Sequence, residues 1–374
     1  MRKEEILGLV MYTLMIAVAI IVGFTVIKPL MENYGPSKMS GLLFVLIVVV
    51  LAYLINVIGL ELLHAFGAIC GGYAITGINI LGFCFTKTTK GWKFSFRDFD
   101  GMSGETQIKP KREKLKPILI TWFPMFGYAF ELATCVLLIS IFKGSTKSGV
   151  EWLVPASAAF ILISSMIAFY NFVPLRLDSM TDGYRIRLFA NKVNIDAFNK
   201  VLEIQDKQRL GEKIEEVPVF EELTSYTAEV NTFAMYVYLS QEKYEKAREI
   251  LDKLLENKQV LAVDDVNRLI CQKVYLSILT MPIEDAKKVY DEICPTEIRR
   301  FIANDVSLQS IRAYILIAGM IENSESEVAF AKSKIAKARK RALPTEIQTE
   351  DVLLEKALKY VYDAHPKWTK ENAA

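Results

Sequence analysis

The sequence predicts an all-α, polytopic membrane protein with four transmembrane helices, followed by a soluble helical domain. Three observations lead to this fold class. Nearly all long apolar runs lie in the first half of the 374-residue chain. From about residue 190 the chain becomes charged, with the alternating Lys and Glu of solvent-exposed helices. The five cysteines form no CxxC pair, and their odd number argues against a disulfide framework.

Four segments are long enough to cross a bilayer, which needs roughly 20 apolar residues for each helix. They are residues 6–27, 39–60, 117–142 and 150–174. The N-terminal Met-Arg-Lys before the first run is also found in signal peptides. Because this run is long and no small-residue cleavage site ends it, we interpret it as a retained helix.

The basic residues of the short loops predict the orientation. The 84–116 loop contains nine Lys and Arg, whereas the 28–38 and 143–149 loops contain two each. Basic loops stay on the cytosolic side. We therefore expect a multi-pass protein of the plasma membrane with both termini in the cytosol.

The same pattern divides the chain into three parts. Residues 1–38 form an N-terminal transmembrane helix and an external loop, 39–190 a membrane core with its cytosolic loop, and 191–374 a cytosolic helical domain. Within the loop, residues 83–99 mix aromatic and β-branched residues with glycine, which predicts a short strand pair at the interface. The polar stretch 100–117 is expected to be a mobile loop.

Ionisable residues inside a span are functional candidates, because they are costly in lipid. The second span ends in Leu60-Glu61-Leu-Leu-His64, and the fourth ends in an Asn171-x-x-Pro motif that is followed by Asp182-Gly. Both ends approach the cytosolic side. We therefore expect the Glu-x-x-His and Asn-x-x-Pro…Asp-Gly motifs to meet at one depth.

Over residues 40–190 this arrangement resembles the site-2 protease family of intramembrane zinc metalloproteases. In that family, a transmembrane His-Glu-x-x-His holds zinc through its two histidines, and its glutamate is the general base. The resemblance implies that Glu61 is the catalytic base and that His64 and Asp182 are ligands of a zinc cofactor. It also implies a site-2-protease-like membrane core.

One position departs from the family pattern, since Leu60 stands where the first zinc-binding histidine belongs. Catalytic zinc usually has three protein ligands. Asp178 is a substitute candidate, because extra residues separate the proline of this motif from its Asp-Gly. Glu61 or Cys70 are further alternatives for completing the site. With one ligand missing, we expect zinc binding to be weak or absent.

Two other polar residues of the spans are candidates, Asn171 and Glu131. Glu131 lies near the middle of the third span, and the sequence leaves open whether it reaches the site, pairs with a lysine, or faces a polar cavity. Without the family pattern, His64 would be an interfacial hydrogen-bonding residue. Asp182-Gly would then be only a turn after a helix.

Helical periodicity dominates the chain after residue 191. Tyr238, Tyr275 and Tyr314 begin three similar stretches at intervals close to the helix-pair repeat of tetratricopeptide type. An irregular helical bundle fits the same pattern. Either fold would dock a peptide or protein partner, and no catalytic motif is present in this half. The basic run 332–341 is interpreted as a solvated helix face.

Two functions follow from these observations. The first is a degenerate family member, a pseudoprotease that binds a membrane peptide or partner through its core and helical domain. The alternative is an active zinc-dependent metalloprotease that performs intramembrane proteolysis near the cytosolic leaflet. The expected partners are the lipid bilayer and a membrane peptide or protein. A nucleic acid is not expected, because the net charge is only +2 and the basic residues form no soluble patch.

The orientation can be tested by cysteine labelling of intact cells in a variant without the native cysteines. An impermeant maleimide should modify a cysteine at Ser145, in an external loop, but not one at Lys370. Modification of both positions, or of Lys370 alone, would contradict the four-span topology.

Overall fold

The computed structural model describes residues 3–35, 41–88, 91–96, 104–112, 114–144, 149–174 and 180–368. The chain divides into two compact units, Met1–Ile195 and Asp196–Ala374. The predicted site residues Glu61, His64, Glu131, Asn171 and Asp182 all belong to the first unit. Asp178, the substitute ligand candidate, lies outside the described residues.

The first unit is built on long apolar helices. They are α1 (Lys3–Val22), continued by a π-helical segment (Gly23–Ile27) and α2 (Lys28–Tyr34), then α3 (Gly41–Cys70), α4 (Ile118–Phe142), α5 (Leu153–Phe172) and the short α6 (Asp182–Leu188). Four spans in the described part of the chain are long and apolar enough to cross a membrane: Ile6–Tyr34, Gly41–Cys70, Ile118–Phe142 and Leu153–Phe172. Their large apolar side chains point outward, as Leu42 and Phe130 do at 83% and 76% exposure. The prediction of four apolar spans is confirmed.

The second span is longer than predicted. The sequence placed the apolar span at residues 39–60 and the end of its helix at His64, whereas α3 continues without a break to Cys70. The Glu-x-x-His motif therefore lies within the helix and not at its end. A carboxylate and an imidazole do not interrupt the helix, because each can be turned towards neighbouring elements and away from lipid.

Small residues let α3 approach its neighbours closely. A Cβ atom at Gly67 would lie 2.3 Å from the backbone oxygen of Leu119, at the start of α4. By contrast, Gly59 on the same helix has no atom within 4 Å of its Cβ position. Lipid tails are as apolar as the side chains of such helices, so the hydrophobic effect does not drive the helices together. Close backbone contact is then a main source of their association.

A four-stranded antiparallel sheet connects α3 to α4. Its strands are β1 (Tyr73–Ile80), β2 (Phe83–Thr88), β3 (Gly91–Phe96) and β4 (Glu105–Pro110), in the order β3-β2-β1-β4. The predicted strand pair is confirmed as β2 and β3. The all-α description is corrected by the sheet, and β4 occupies part of the stretch expected to be a mobile loop. β4 was missed because its pairing with β1 is set by residues about 30 positions away.

The second unit is helical in its described residues. Its helices are α7 (Lys192–Leu210, which begins just before the unit boundary), α8 (Ser225–Ser240), α9 (Tyr244–Glu256), α10 (Val263–Thr280), α11 (Ile283–Ile293), α12 (Thr296–Asn304), α13 (Leu308–Leu316), α14 (Glu325–Ser333), α15 (Ile335–Arg339) and α16 (Pro344–Ala364). A 3₁₀ turn (Lys258–Val260) follows α9, and a π-helical segment (Ile317–Ile321) extends α13.

Three successive helix pairs carry the similar stretches of the sequence. The tyrosines Tyr238, Tyr275 and Tyr314 lie on α8, α10 and α13. Each of these helices packs against the next, which has a fully buried alanine at the contact. These alanines are Ala247, Ala286 and Ala331. Whether these pairs form a tetratricopeptide domain remains a prediction.

A buried ion pair fixes the middle of this unit. Arg312 is fully buried and donates to Glu350 at 2.7 Å and to Gln272 at 3.0 Å. Its guanidinium also lies 4.1 Å from the centre of the Tyr275 ring. Removing one partner of such a pair would leave an uncompensated buried charge, whereas the intact pair ties α10, α13 and α16 together.

We expect Gly67→Ala and Gly59→Ala to have opposite effects on stability. Alanine at 59 should be neutral or stabilise by up to about 1 kcal/mol, because it improves helix propensity in open space. Alanine at 67 should destabilise by about 1–3 kcal/mol, because α3 and α4 must separate to admit the methyl group. Thermal unfolding of the detergent-solubilised full chain measures both. Equal effects would contradict the close α3–α4 approach.

Candidate functional site

Helix α3 carries Glu61 and His64 on one face. Residues three apart on a helix are neighbours on its surface, and here the Glu61 Oε1 atom lies 3.6 Å from His64 Nδ1. Both side chains are turned inward, with residual exposures of 3% and 8%. The polar face is therefore shielded from the surroundings by the rest of the unit.

Helix α6 brings Asp182 to the same place. Thr181 caps the helix, since its hydroxyl accepts from the Tyr184 amide and donates to the Val173 carbonyl at 2.7 Å. A Cβ at Gly183 would lie only 1.9 Å from the backbone oxygen of Phe172. The glycine of the Asp-Gly motif thus allows the start of α6 to pack directly against the end of α5, which buries Asp182.

The contact between the two motifs is direct. The His64 Nε2 and Asp182 Oδ2 atoms are 2.9 Å apart, and Asn171 Nδ2 donates to the same oxygen at 2.7 Å. The expectation that His64 and Asp182 meet at one depth is confirmed, and Asn171 joins them. The catalytic and metal-binding roles assigned to these residues stay predictions.

The environment of Asp182 favours its ionised form. Burial by itself would raise the pKa of this carboxyl. The hydrogen bond and charge of His64 outweigh that effect, aided by Arg185 and Asn171, and hold the pKa below its usual range. The Arg185 Nη1 atom lies 3.9 Å from Asp182 Oδ1. Asp182 is thus a buried carboxylate that keeps its charge because it is paired.

Glu61 is held by the sheet. The Thr106 hydroxyl on β4 lies 2.7 Å from the Glu61 Oε2 atom and 3.1 Å from the Glu61 backbone oxygen. The sequence analysis did not find Thr106, because a threonine in a polar loop carries no signal of its own. Only the pairing of β4 with β1 brings it over α3.

Glu131 belongs to a separate polar cluster. It accepts a hydrogen bond from Asn56 at 3.2 Å and a short one from Ser164, and Asn56 also contacts Ser164 at 2.9 Å. Asn56 and Ser164 are buried on α3 and α5. Glu131 therefore lies in a polar cluster between helices, where Asn56 and Ser164 donate to it. Asn56 and Ser164 were missed, although polar residues within apolar runs are the signal that marks such clusters.

The described residues gather fewer donors than catalytic zinc usually has. In the described part of the chain, no group of three or more His, Cys, Asp or Glu side chains is arranged to hold a metal ion. Leu60 offers no lone pair, and Cys70 is exposed at the last residue of α3. Glu61, the third ionisable group, accepts from Thr106. His64 and Asp182 are thus the two candidate ligands in contact, where catalytic zinc usually has three, and Asp178 lies outside the described residues.

Polar contacts within the site link its members to one another. Asp182, His64 and Glu61 form a chain of acid, imidazole and acid, in which Asp182 and His64 are hydrogen-bonded and Glu61 lies 3.6 Å from His64. Asn171 and Thr106 donate to the carboxylates at its two ends. Such a chain can hold a proton and fix the relative positions of α3, α5 and α6. No family model, no curated protein and no solved structure matches this chain.

Proposed function

We propose that the protein is a degenerate, site-2-protease-like membrane protein, a pseudoprotease that binds a membrane peptide or partner protein. The observation that carries this proposal is the direct 2.9 Å contact between His64 Nε2 and Asp182 Oδ2. Two side chains that would be zinc ligands in an active member satisfy each other here.

The distance between these two atoms favours a hydrogen bond. Zinc bonds of about 2.0–2.2 Å at a tetrahedral angle would hold the nitrogen and oxygen about 3.3–3.6 Å apart, with both lone pairs aimed at the metal. The observed separation is shorter, and the two atoms face each other. The direct contact with His64 compensates the buried Asp182 charge without a metal ion.

Glu61 also makes a structural contact. A carboxylate offers about four lone-pair sites, and Thr106 occupies one of them. In this protein one carboxylate oxygen accepts from Thr106 and the other lies beside His64. Glu61 then links α3 to the sheet, which is a scaffold role.

The alternative of an active metalloprotease has one observation in its favour. Glu61, His64 and Asp182 converge in one buried place, as the resemblance implies for the base and two ligands. Asp178, the substitute candidate for a third ligand, lies outside the described residues. The zinc measurement below separates the two proposals.

The proposed setting of this function is the plasma membrane, with both termini in the cytosol. It is supported by the nine basic residues of the 84–116 loop and by the four apolar spans. In this topology the Glu61–His64–Asp182 site lies near the cytosolic leaflet. The helical unit offers a docking surface for a peptide or partner on the same side of the membrane.

Restoring the missing ligand should restore zinc binding. Purified wild-type protein should contain well below one zinc per chain, because a single imidazole and a paired carboxylate hold the ion weakly. Leu60→His adds an imidazole four residues before His64, on the same helical face, so the zinc content should rise towards one per chain. Metal analysis of detergent-purified protein after dialysis against zinc measures both.

Leu62→His is the matched control for this experiment. Leu62 is 54% exposed on the outer face of α3, so the same imidazole there should not raise the zinc content. Full zinc occupancy in the wild type, together with loss of peptide cleavage in Glu61→Gln, would show that the protein is an active metalloprotease and that the pseudoprotease proposal is wrong.

A further inference from the structure

Strands β2 and β3 present aromatic side chains on one face. Residues directly opposite each other in an antiparallel pair point to the same side of the sheet. Phe83 is opposite Phe96, Phe85 is opposite Phe94, and Lys87 is opposite Trp92. We call the five aromatic residues the aromatic ladder: Phe83, Phe85, Trp92, Phe94 and Phe96. Each of them is between 51% and 65% exposed.

The rings of the ladder form a continuous apolar surface. Ring centres are 5.0 Å apart for Phe85 and Phe94, and 5.5 Å apart for Phe83 and Phe96. The opposite face of the two strands is polar or small, with Cys84 buried and Thr86 half-buried. In a hairpin surrounded by water, the polar face would be exposed and the aromatic face would be buried. An exposed apolar patch of this kind marks a surface that is covered in the working protein.

The strand register shows that the aromatic ladder lies on the same face of the sheet as Thr106. Thr106 on β4 is opposite Ile78 on β1, Ile78 is opposite Phe85, and Phe85 is opposite Phe94. These four residues therefore form one row on one face across the whole sheet. At its inner end, Thr106 contacts Glu61 inside the apolar span α3. The outer end of the row carries the ladder.

The sheet is wide enough for the aromatic ladder to extend beyond α3. Neighbouring strands lie about 4.8 Å apart, so Phe94 is roughly 14 Å from Thr106 along the row. A helix with its side chains is only about 10–12 Å wide. β1 begins three residues after α3 ends, which keeps the sheet at this end of the span. The face that rests on α3 at one end therefore overhangs the helix at the other.

We propose that the aromatic ladder is seated in the interfacial zone of the bilayer, beside the C-terminal half of α3. On the C-terminal half of α3, Leu62, Phe66 and Ile69 are likewise each more than half exposed. Aromatic rings favour the headgroup boundary. Lys87, opposite Trp92 on the same face, can extend its ammonium group to the lipid phosphates. The bilayer thus supports the outer strands and holds β4, with Thr106, over Glu61.

This inference does not depend on whether the site binds zinc. It is tested on the full chain with Trp122, Trp152 and Trp368 replaced by phenylalanine, so that Trp92 is the single tryptophan. In phosphatidylcholine vesicles, Trp92 emission should be blue-shifted and should be lost when the lipid is brominated near the headgroup end of its acyl chains. Aqueous iodide should leave the emission unchanged.

Neighbouring positions on the two faces provide the matched comparison. In the chain without native tryptophans, Phe96→Trp should behave like Trp92, whereas Ser95→Trp, on the opposite face, should not be quenched by brominated lipid. Quenching of Trp92 by iodide and not by brominated lipid would overturn the proposal. Insensitivity of Trp92 to both quenchers would also overturn it, because a second copy or another protein would then cover the ladder.

Discussion

The contact between His64 and Asp182 is the interaction on which the membrane unit depends. It joins the C-terminal third of a long apolar helix to the start of α6, 118 positions later in the chain. A buried carboxylate is tolerated at this place only because His64, Asn171 and Arg185 surround it. Gly183 is required for the same reason, since the contact forms only if α6 reaches the end of α5. Leu60, one helical turn before His64, is not needed for this contact, because His64 and Asp182 satisfy each other.

Two polar clusters of different character occupy the apolar helices. The Glu61–His64–Asp182 chain contains a charged carboxylate and is shielded by β4, whereas the Asn56–Glu131–Ser164 cluster links three helices in the interior of the spans. In lipid, polar groups of this kind must be satisfied by other protein groups. The first cluster fixes the arrangement of α3, α5 and α6, and the second fixes that of α3, α4 and α5. The sheet also supports α3, because Thr106 connects β4 to this helix. The aromatic ladder lies on the same face of the sheet, on the outer strands β2 and β3.

The sequence predicted what depends on local composition and known motif spacing. Four apolar spans follow from run length, and Glu61, His64 and Asp182 could be singled out because ionisable residues in apolar segments are rare. Features that depend on distant pairing were not predictable. Strand β4 and Thr106 are defined by β1, and Ser164 acquires its role only when α5 packs on α3. The end of α3 was misplaced because an ionisable motif was taken to mark a helix end, although a helix can bury both residues.

A double-mutant cycle on His64 and Asp182 tests the central claim most directly. The free energy of unfolding of the detergent-solubilised chain would be measured for His64→Leu, Asp182→Asn and the double variant at neutral pH. If the two side chains stabilise the unit through their mutual contact, they should show a coupling free energy of about 1–3 kcal/mol. Because the pKa of Asp182 is lowered in the folded state, this coupling should be complete above the ordinary aspartate pKa and disappear as the pH falls through the lowered value. Additive effects, within about 0.5 kcal/mol at neutral pH, would contradict the claim.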